Sequence, residues 1–110
     1  HVALPESSIN VEKAKALPGY FVDTGLPLFL EKMQFAPGTR KNFWIKLAGG
    51  ANIMDSERRF DIGRRNVLAI KKTLWKNQLG VIAEDVGGSK SRTVSISVLT
   101  GEVIISSGNG

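Results

Sequence analysis

The spacing of apolar and polar residues along the chain predicts two helices. Between residues 62 and 79, apolar residues recur at steps of three and four with basic residues between them, the pattern of an amphipathic α-helix. Residues 20–34 show a weaker form of this pattern, and Gly25 and Pro27 fall in the first turns. We therefore predict one regular helix and a second one with an irregular start.

Shorter apolar runs that end at glycine predict strands. Residues 42–48 form one such run, which Gly49 and Gly50 close. Gly80 is expected to stop the regular helix predicted over residues 62–79. A mostly buried strand is then predicted over residues 81–86, where a second pair of glycines closes it.

The last strands of the chain indicate the fold class. Residues 93–99 alternate apolar and polar side chains, and the turn at 100–101 leads into a further apolar run at 103–105, which predicts a β-hairpin. Residues 1–4 resemble the end of a strand, and residues 6–18 are interpreted as a surface loop. The hairpin requires antiparallel pairing, so we predict an α+β fold with a mixed or antiparallel, sandwich-like sheet core and two flanking helices.

Length and composition exclude several classes of protein. The 110 residues suffice for one domain, and no apolar run approaches the ~20 residues of a membrane span. No secretory signal is recognisable, so a cytoplasmic protein without membrane insertion is expected. With no Cys and one His, the sequence offers neither a thiol nucleophile nor a metal-ligand spacing, and we predict no metal or cofactor. The stretch at 88–91 lacks the glycines of a phosphate-binding loop, so nucleotide binding is rejected.

The net charge of +5 raises the possibility of an acidic partner. Many of the cations fall on the regular helix predicted over residues 62–79, at Arg64, Arg65, Lys71, Lys72 and Lys76. Such a face is more often simply solvated. Nucleic-acid binding through this helix and Trp75 has no recognised motif to support it, and we do not predict it.

Five short motifs are spread along the chain. They are His1-Val2-Ala3-Leu4-Pro5-Glu6-Ser7, Tyr20-Phe21-Val22-Asp23-Thr24, Lys46-Leu47-Ala48-Gly49-Gly50-Ala51, Ile62-Gly63-Arg64-Arg65-Asn66 and Ala83-Glu84-Asp85-Val86-Gly87-Gly88, followed by Arg92 and Thr100-Gly101. In this order and at nearly the expected spacing, they resemble the motifs of the CheD family of chemoreceptor glutamine deamidases. The resemblance runs from His1 to about Ile105.

The resemblance implies a Cys-His hydrolase in bacterial chemotaxis that converts glutamine side chains of methyl-accepting chemoreceptors to glutamate. His1 matches the family's catalytic base, and CheC is the second partner implied. In the family a Thr and a nucleophilic Cys precede this His, whereas this sequence starts at the His itself. We therefore interpret residues 1–110 as a single CheD-like domain that lacks its N-terminal strands, and expect it to be inactive alone. The alternative is a non-catalytic module that binds CheC or chemoreceptors.

Three further features are candidates for substrate or partner binding. The turn at Gly49 and Gly50 would bring backbone N–H groups beside the active His, although glycine in a tight turn needs no such role. Ile53 and Met54 would offer a hydrophobic docking spot, unless they simply pack into the core. Arg64 and Arg65 would steer the protein toward Glu-rich receptor helices.

Overall fold

A computed structural model describes residues 1–52 and 61–107, in which helices pack beside two small sheets. The helices are α1 (Val11–Ala16), α2 (Val22–Lys32) and α3 (Ile62–Lys76), and the strands are β1 (Ile45–Gly49), β2 (Val81–Val86), β3 (Arg92–Ile96) and β4 (Val103–Ser107). Three short 3₁₀ helices lie at Ser7–Ile9, Pro18–Tyr20 and Pro37–Asn42.

Both kinds of strand pairing are present, which confirms the α+β fold class. β1 and β2 pair in parallel, from Ile45 opposite Val81 to Gly49 opposite Val86, and α3 lies between them in the chain. β3 and β4 form the predicted antiparallel hairpin. At its turn, the Ser97 N–H donates to the Glu102 carbonyl at 2.9 Å.

The core lies between α2 and α3. Leu30, Leu74 and Leu79 form its buried centre. Partly buried apolar side chains surround them, namely Leu26, Phe35, Phe43, Ile45, Ile70 and Val81. The two predicted amphipathic helices are therefore present, and each directs its apolar face toward the other.

The helix predicted over residues 62–79 ends earlier than expected, at Lys76 rather than at Gly80. Gln78 adopts the left-handed conformation, with φ 60°, that glycine usually takes after a helix. The Leu79 N–H then donates to the Leu74 carbonyl at 2.9 Å, which satisfies a terminal carbonyl of the helix. The prediction was wrong because a non-glycine residue makes this cap and brings Leu79 into the core.

The interpretation of residues 6–18 as a loop was also wrong, since this stretch contains a 3₁₀ turn and the short helix α1. The Asn10 side chain caps α1 by accepting a hydrogen bond from the Lys13 N–H at 3.0 Å. The Lys13 ammonium lies 4.1 Å from the centre of the Tyr20 ring. A cap and a cation–π contact thus stabilise a helix that buries no side chain and so has no apolar period.

β2 is less buried than predicted. Its two end residues are half-buried, while the four between them are exposed. Among the described residues only β1 pairs with it. The strand that was predicted to be mostly buried therefore leaves side chains such as Ile82 in contact with solvent.

Candidate functional site

Backbone hydrogen bonds fix the segment that follows His1 against the start of α2. The N–H groups of Ala3 and Leu4 both donate to the Tyr20 carbonyl, at 2.8 and 3.1 Å. The Leu4 carbonyl accepts from the Val22 N–H at 2.9 Å. Leu4 thus forms a single parallel bridge rather than a strand, and His1 extends from it as an exposed residue.

A carboxylate at the start of α2 holds the same segment at its other end. Asp23 accepts hydrogen bonds from the Ser7 N–H at 2.9 and 3.1 Å and from the Ser7 hydroxyl at 2.9 Å. Its own N–H donates to the Pro5 carbonyl at 3.3 Å. The chain is therefore tied to α2 on both sides of Pro5, which limits how far the residues near His1 can move.

Asn66 of α3 connects this segment to the second helix. Its side-chain amide donates to the Ala3 carbonyl at 3.0 Å. Its Oδ1 atom is buried and has no hydrogen-bond partner among the described residues. An unpaired buried acceptor costs about 1–3 kcal/mol of folding free energy. The Asn66 side chain that carries this acceptor contacts the segment that follows His1.

The start of α3 also lies directly against the first Gly turn. A Cβ atom on Gly63 would be 2.1 Å from the Gly50 carbonyl oxygen. Gly50 itself has φ 66°, and a Cβ there would be 2.6 Å from a methyl group of Val67. Glycine at both positions allows the two backbones to touch.

Arg92 joins the two Gly turns. Its guanidinium donates to the Gly49 carbonyl at 3.2 Å and to the Gly87 carbonyl at 2.9 Å. It also donates to the Asp85 carboxylate at 3.1 Å. Only 15% of its side chain is exposed, and the planar fork of donors suits three acceptors at once. The Gly87 N–H adds a direct bond to the Gly49 carbonyl at 2.9 Å.

These contacts form one continuous arrangement at one end of the β1–β2 pair. Asn66 links the His1 segment to α3, Gly63 links α3 to the first Gly turn, and Arg92 links that turn to the second. The exposed imidazole of His1, two residues before the fixed Ala3, is a group that can accept and donate protons. It cannot replace a thiolate as nucleophile, and the 110 residues contain no Cys.

The other predicted site residues do not join this arrangement. Arg64 and Arg65 are exposed, and Arg64 pairs with Asp61 at 3.9 Å. The helix turns Asn66, rather than either Arg, toward the Ala3 carbonyl. The proposed docking residues Ile53 and Met54 lie outside the described residues.

Four polar side chains of this arrangement had no role predicted from the sequence, namely those of Ser7, Asp23, Asn66 and Arg92. All four lie in or beside the motifs quoted above, which was the only signal for them. Within residues 1–52 and 61–107 there is no cluster of acidic, His or Cys side chains that could hold a metal. No helix in those ranges is both long and apolar enough to cross a membrane.

Comparisons with known proteins agree on one family. A family model described as CheD chemotactic sensory transduction matches residues 3–107. A protein of Syntrophotalea carbinolica named probable chemoreceptor glutamine deamidase CheD is 49% identical over 96% of this chain and 67% of its own length. Similarly named proteins of Syntrophus aciditrophicus and Anaeromyxobacter dehalogenans are 40% and 44% identical, and the chain covers 69% of each.

Proposed function

The chain belongs to the CheD family, and we propose that it serves in the hydrolysis of glutamine side-chain amides on chemoreceptors, which yields glutamate and ammonia. The observation that carries the proposal is that α2 and α3 both hold the backbone at Ala3 and Leu4, just after the exposed His1. Hydrolysis of an amide needs a group that protonates the departing nitrogen, and a positioned His meets that need. We place this activity in the cytoplasm.

The proposed reaction proceeds through a thioester. A Cys thiolate supplied from outside these 110 residues attacks the amide carbon, and the C–N bond breaks as the His1 imidazolium gives its proton to the leaving nitrogen. Ammonia departs. Neutral His1 then takes a proton from water, the resulting hydroxide attacks the thioester, and the thiolate leaves. The net change is Gln plus water to Glu plus ammonia.

The two Gly turns are proposed to stabilise the negative charge on the reacting oxygen. Arg92 binds the carbonyl oxygens of Gly49 and Gly87. In a trans peptide the N–H of the next residue points away from that carbonyl, so the N–H groups of Gly50 and Gly88 face the side opposite the guanidinium. Fixed donors of this kind are suited to an oxyanion.

We also propose that further strands complete the domain and bring the nucleophile. Two observations support this. Parallel strands are usually covered on both faces, yet β2 is exposed over its four central residues. The chain also spans only 67–69% of the length of the three relatives described above.

The test uses the whole protein that contains these residues and a purified cytoplasmic fragment of a chemoreceptor. Mass spectrometry should detect a gain of about 1 Da for each glutamine converted, the difference between NH₂ and OH. The His1→Ala protein, in parallel, should give almost none. A parent protein that leaves the receptor mass unchanged, although it binds the receptor, would overturn the proposal.

The absence of Cys from these 110 residues favours a second, non-catalytic function for this polypeptide taken alone. As a separate module it would bind chemoreceptors or CheC without chemistry. The polypeptide of 110 residues should then produce no mass change in the receptor while still binding it. Deamidation by this polypeptide alone would show that Cys is dispensable.

A further inference from the structure

The side-chain amide of Asn66 has two ends with different surroundings. Its Nδ2 donates to the Ala3 carbonyl at 3.0 Å, and Ala3 follows His1 by two residues. Its Oδ1 is buried and has no hydrogen-bond partner within residues 1–52 and 61–107. The bond to Ala3 fixes which end is the nitrogen, because an oxygen in its place would face the carbonyl oxygen with no proton between them.

The contribution of Asn66 to stability does not explain why an amide occupies this position. One hydrogen bond to a carbonyl stabilises a fold by no more than an unpaired buried acceptor destabilises it. A leucine of similar volume would fill the same space and would leave no polar atom to pair. Within the described residues, the amide offers one thing that leucine does not, which is its bond to the Ala3 carbonyl.

The same part of α3 lies against the first Gly turn. Gly63 is about one helical turn before Asn66, and a Cβ on it would be 2.1 Å from the Gly50 carbonyl oxygen. Val67 has a methyl group 2.6 Å from the place that a Cβ on Gly50 would take. Neighbouring turns of one helix therefore contact the His1 segment and the Gly50 turn. Because an α-helix has fixed dimensions, α3 sets the distance between these two segments.

We propose that Asn66 is a positioning residue for deamidation, which through the Ala3 carbonyl sets where the His1 imidazole lies relative to the Gly50 N–H group. This role rests on the proposed function, in which His1 transfers the proton and the Gly50 N–H faces the reacting oxygen. Both groups act on one amide of the substrate, so their separation has to match the transition state. A misplacement of about 1 Å lowers a rate by roughly 100-fold.

The alternative is that Asn66 only stabilises the fold, and Asn77 provides the matched control for it. Asn77 follows the last residue of α3, and its Nδ2 donates to the Thr73 carbonyl at 2.9 Å. Both bonds join a side-chain amide to a backbone carbonyl in a part-buried place. The two Asn residues are roughly 16 Å apart along the helix. Replacing either with Asp removes one donor from a side chain of the same shape, so loss of stability is common to both variants.

The test uses the whole protein and the purified chemoreceptor fragment, with deamidation followed by mass spectrometry over a range of fragment concentrations. Asn66→Asp and Asn66→Leu should each lower kcat by about 10- to 100-fold and change KM by less than about threefold. Asn77→Asp should keep kcat within about twofold of the parent. Asn66→Leu brings no charge or unpaired polar atom into the contact, and circular dichroism verifies that each variant is folded.

Amide hydrogen exchange measures the same role without catalysis. The N–H groups of Ala3 and Leu4 both donate to the Tyr20 carbonyl. In Asn66→Asp they should exchange at least about tenfold faster than in the parent, and in Asn77→Asp they should exchange at the parent rate.

Equal loss of kcat from Asn66→Asp and Asn77→Asp would overturn the positioning role and leave the proposed function in place, as would a parental kcat in Asn66→Leu. Unchanged exchange at Ala3 and Leu4 in Asn66→Asp would also overturn it, whatever the activity of the parent. A parent protein that does not deamidate the receptor contradicts the proposed function itself, so the two failures are distinguishable.

Discussion

Replacing Gly63 with Ala tests the contact that places α3 against the first Gly turn. The new Cβ would lie 2.1 Å from the Gly50 carbonyl oxygen, 2.5 Å from the Gly50 carbonyl carbon and 3.1 Å from the Ala51 oxygen. All three are backbone atoms, so no rotation of a side chain can relieve the clash. Either α3 or the turn must move.

Two opposing effects determine the size of the change in stability. Ala is favoured over Gly within a helix by about 0.5–1 kcal/mol. Inserting a methyl group into a packed contact costs about 1–3 kcal/mol, and a backbone obstacle places Gly63 near the upper end. A displaced α3 would also weaken the bond from Asn66 to Ala3, worth about 1 kcal/mol. We therefore expect a net destabilisation of about 2–3 kcal/mol.

Equilibrium unfolding in urea measures this change, and the slope of the transition should stay constant so that the midpoint reports stability alone. The matched control is Gly38→Ala, because a Cβ on Gly38 meets no atom within 4 Å. The control should lie within about 0.5 kcal/mol of the parent. If the Gly63→Ala protein is as stable as Gly38→Ala, helix and turn are not in the contact described above.

Three further substitutions test the remaining contacts. Arg92→Lys keeps the charge but cannot bridge both Gly carbonyls, so the free energy of unfolding in urea should fall by about 1–2 kcal/mol. The control is Arg65→Lys at an exposed position, which should lower it by less than about 0.5 kcal/mol. Asp23→Ala should cost about 1 kcal/mol, and a double-mutant cycle with Ser7→Ala should give a coupling energy above zero. His1→Ala in the whole protein should lower the deamidation rate by roughly 10²–10⁴ while affinity for the receptor fragment, measured by titration, changes less than about twofold.

Helices and strands that show a regular pattern of apolar residues could be predicted from the sequence. The apolar period of α3 follows from which of its side chains face the core. The alternation of β3 matches the two-residue period of a strand, although Val94 and Ile96 remain exposed. A few neighbouring residues suffice to reveal either pattern. The end of α3 could not be predicted this way. Gln78 adopts a left-handed conformation because the resulting turn buries Leu79 against Leu74, and that gain depends on the packing of α2.

The candidate site was predicted less completely, because its contacts join distant parts of the chain. The motif containing His1 indicated where a base would lie, and the glycine pairs indicated turns. That Asn66 binds the carbonyl of Ala3 depends on how α3 crosses the start of α2, and 63 positions separate the two residues. Likewise, Arg92 reaches Gly49 across 43 positions. No spacing rule along the chain relates such pairs.

The two ends of α3 lie in different surroundings. Its first turns contact Gly50 and hold the His1 segment through Asn66, and these contacts are made by small or buried groups. Its later turns present Leu68 and Trp75 to solvent. A regular helix of 15 residues keeps its two ends at a fixed separation and orientation. Replacing the exposed Trp75 should therefore leave Asn66 and its bond to the Ala3 carbonyl undisturbed.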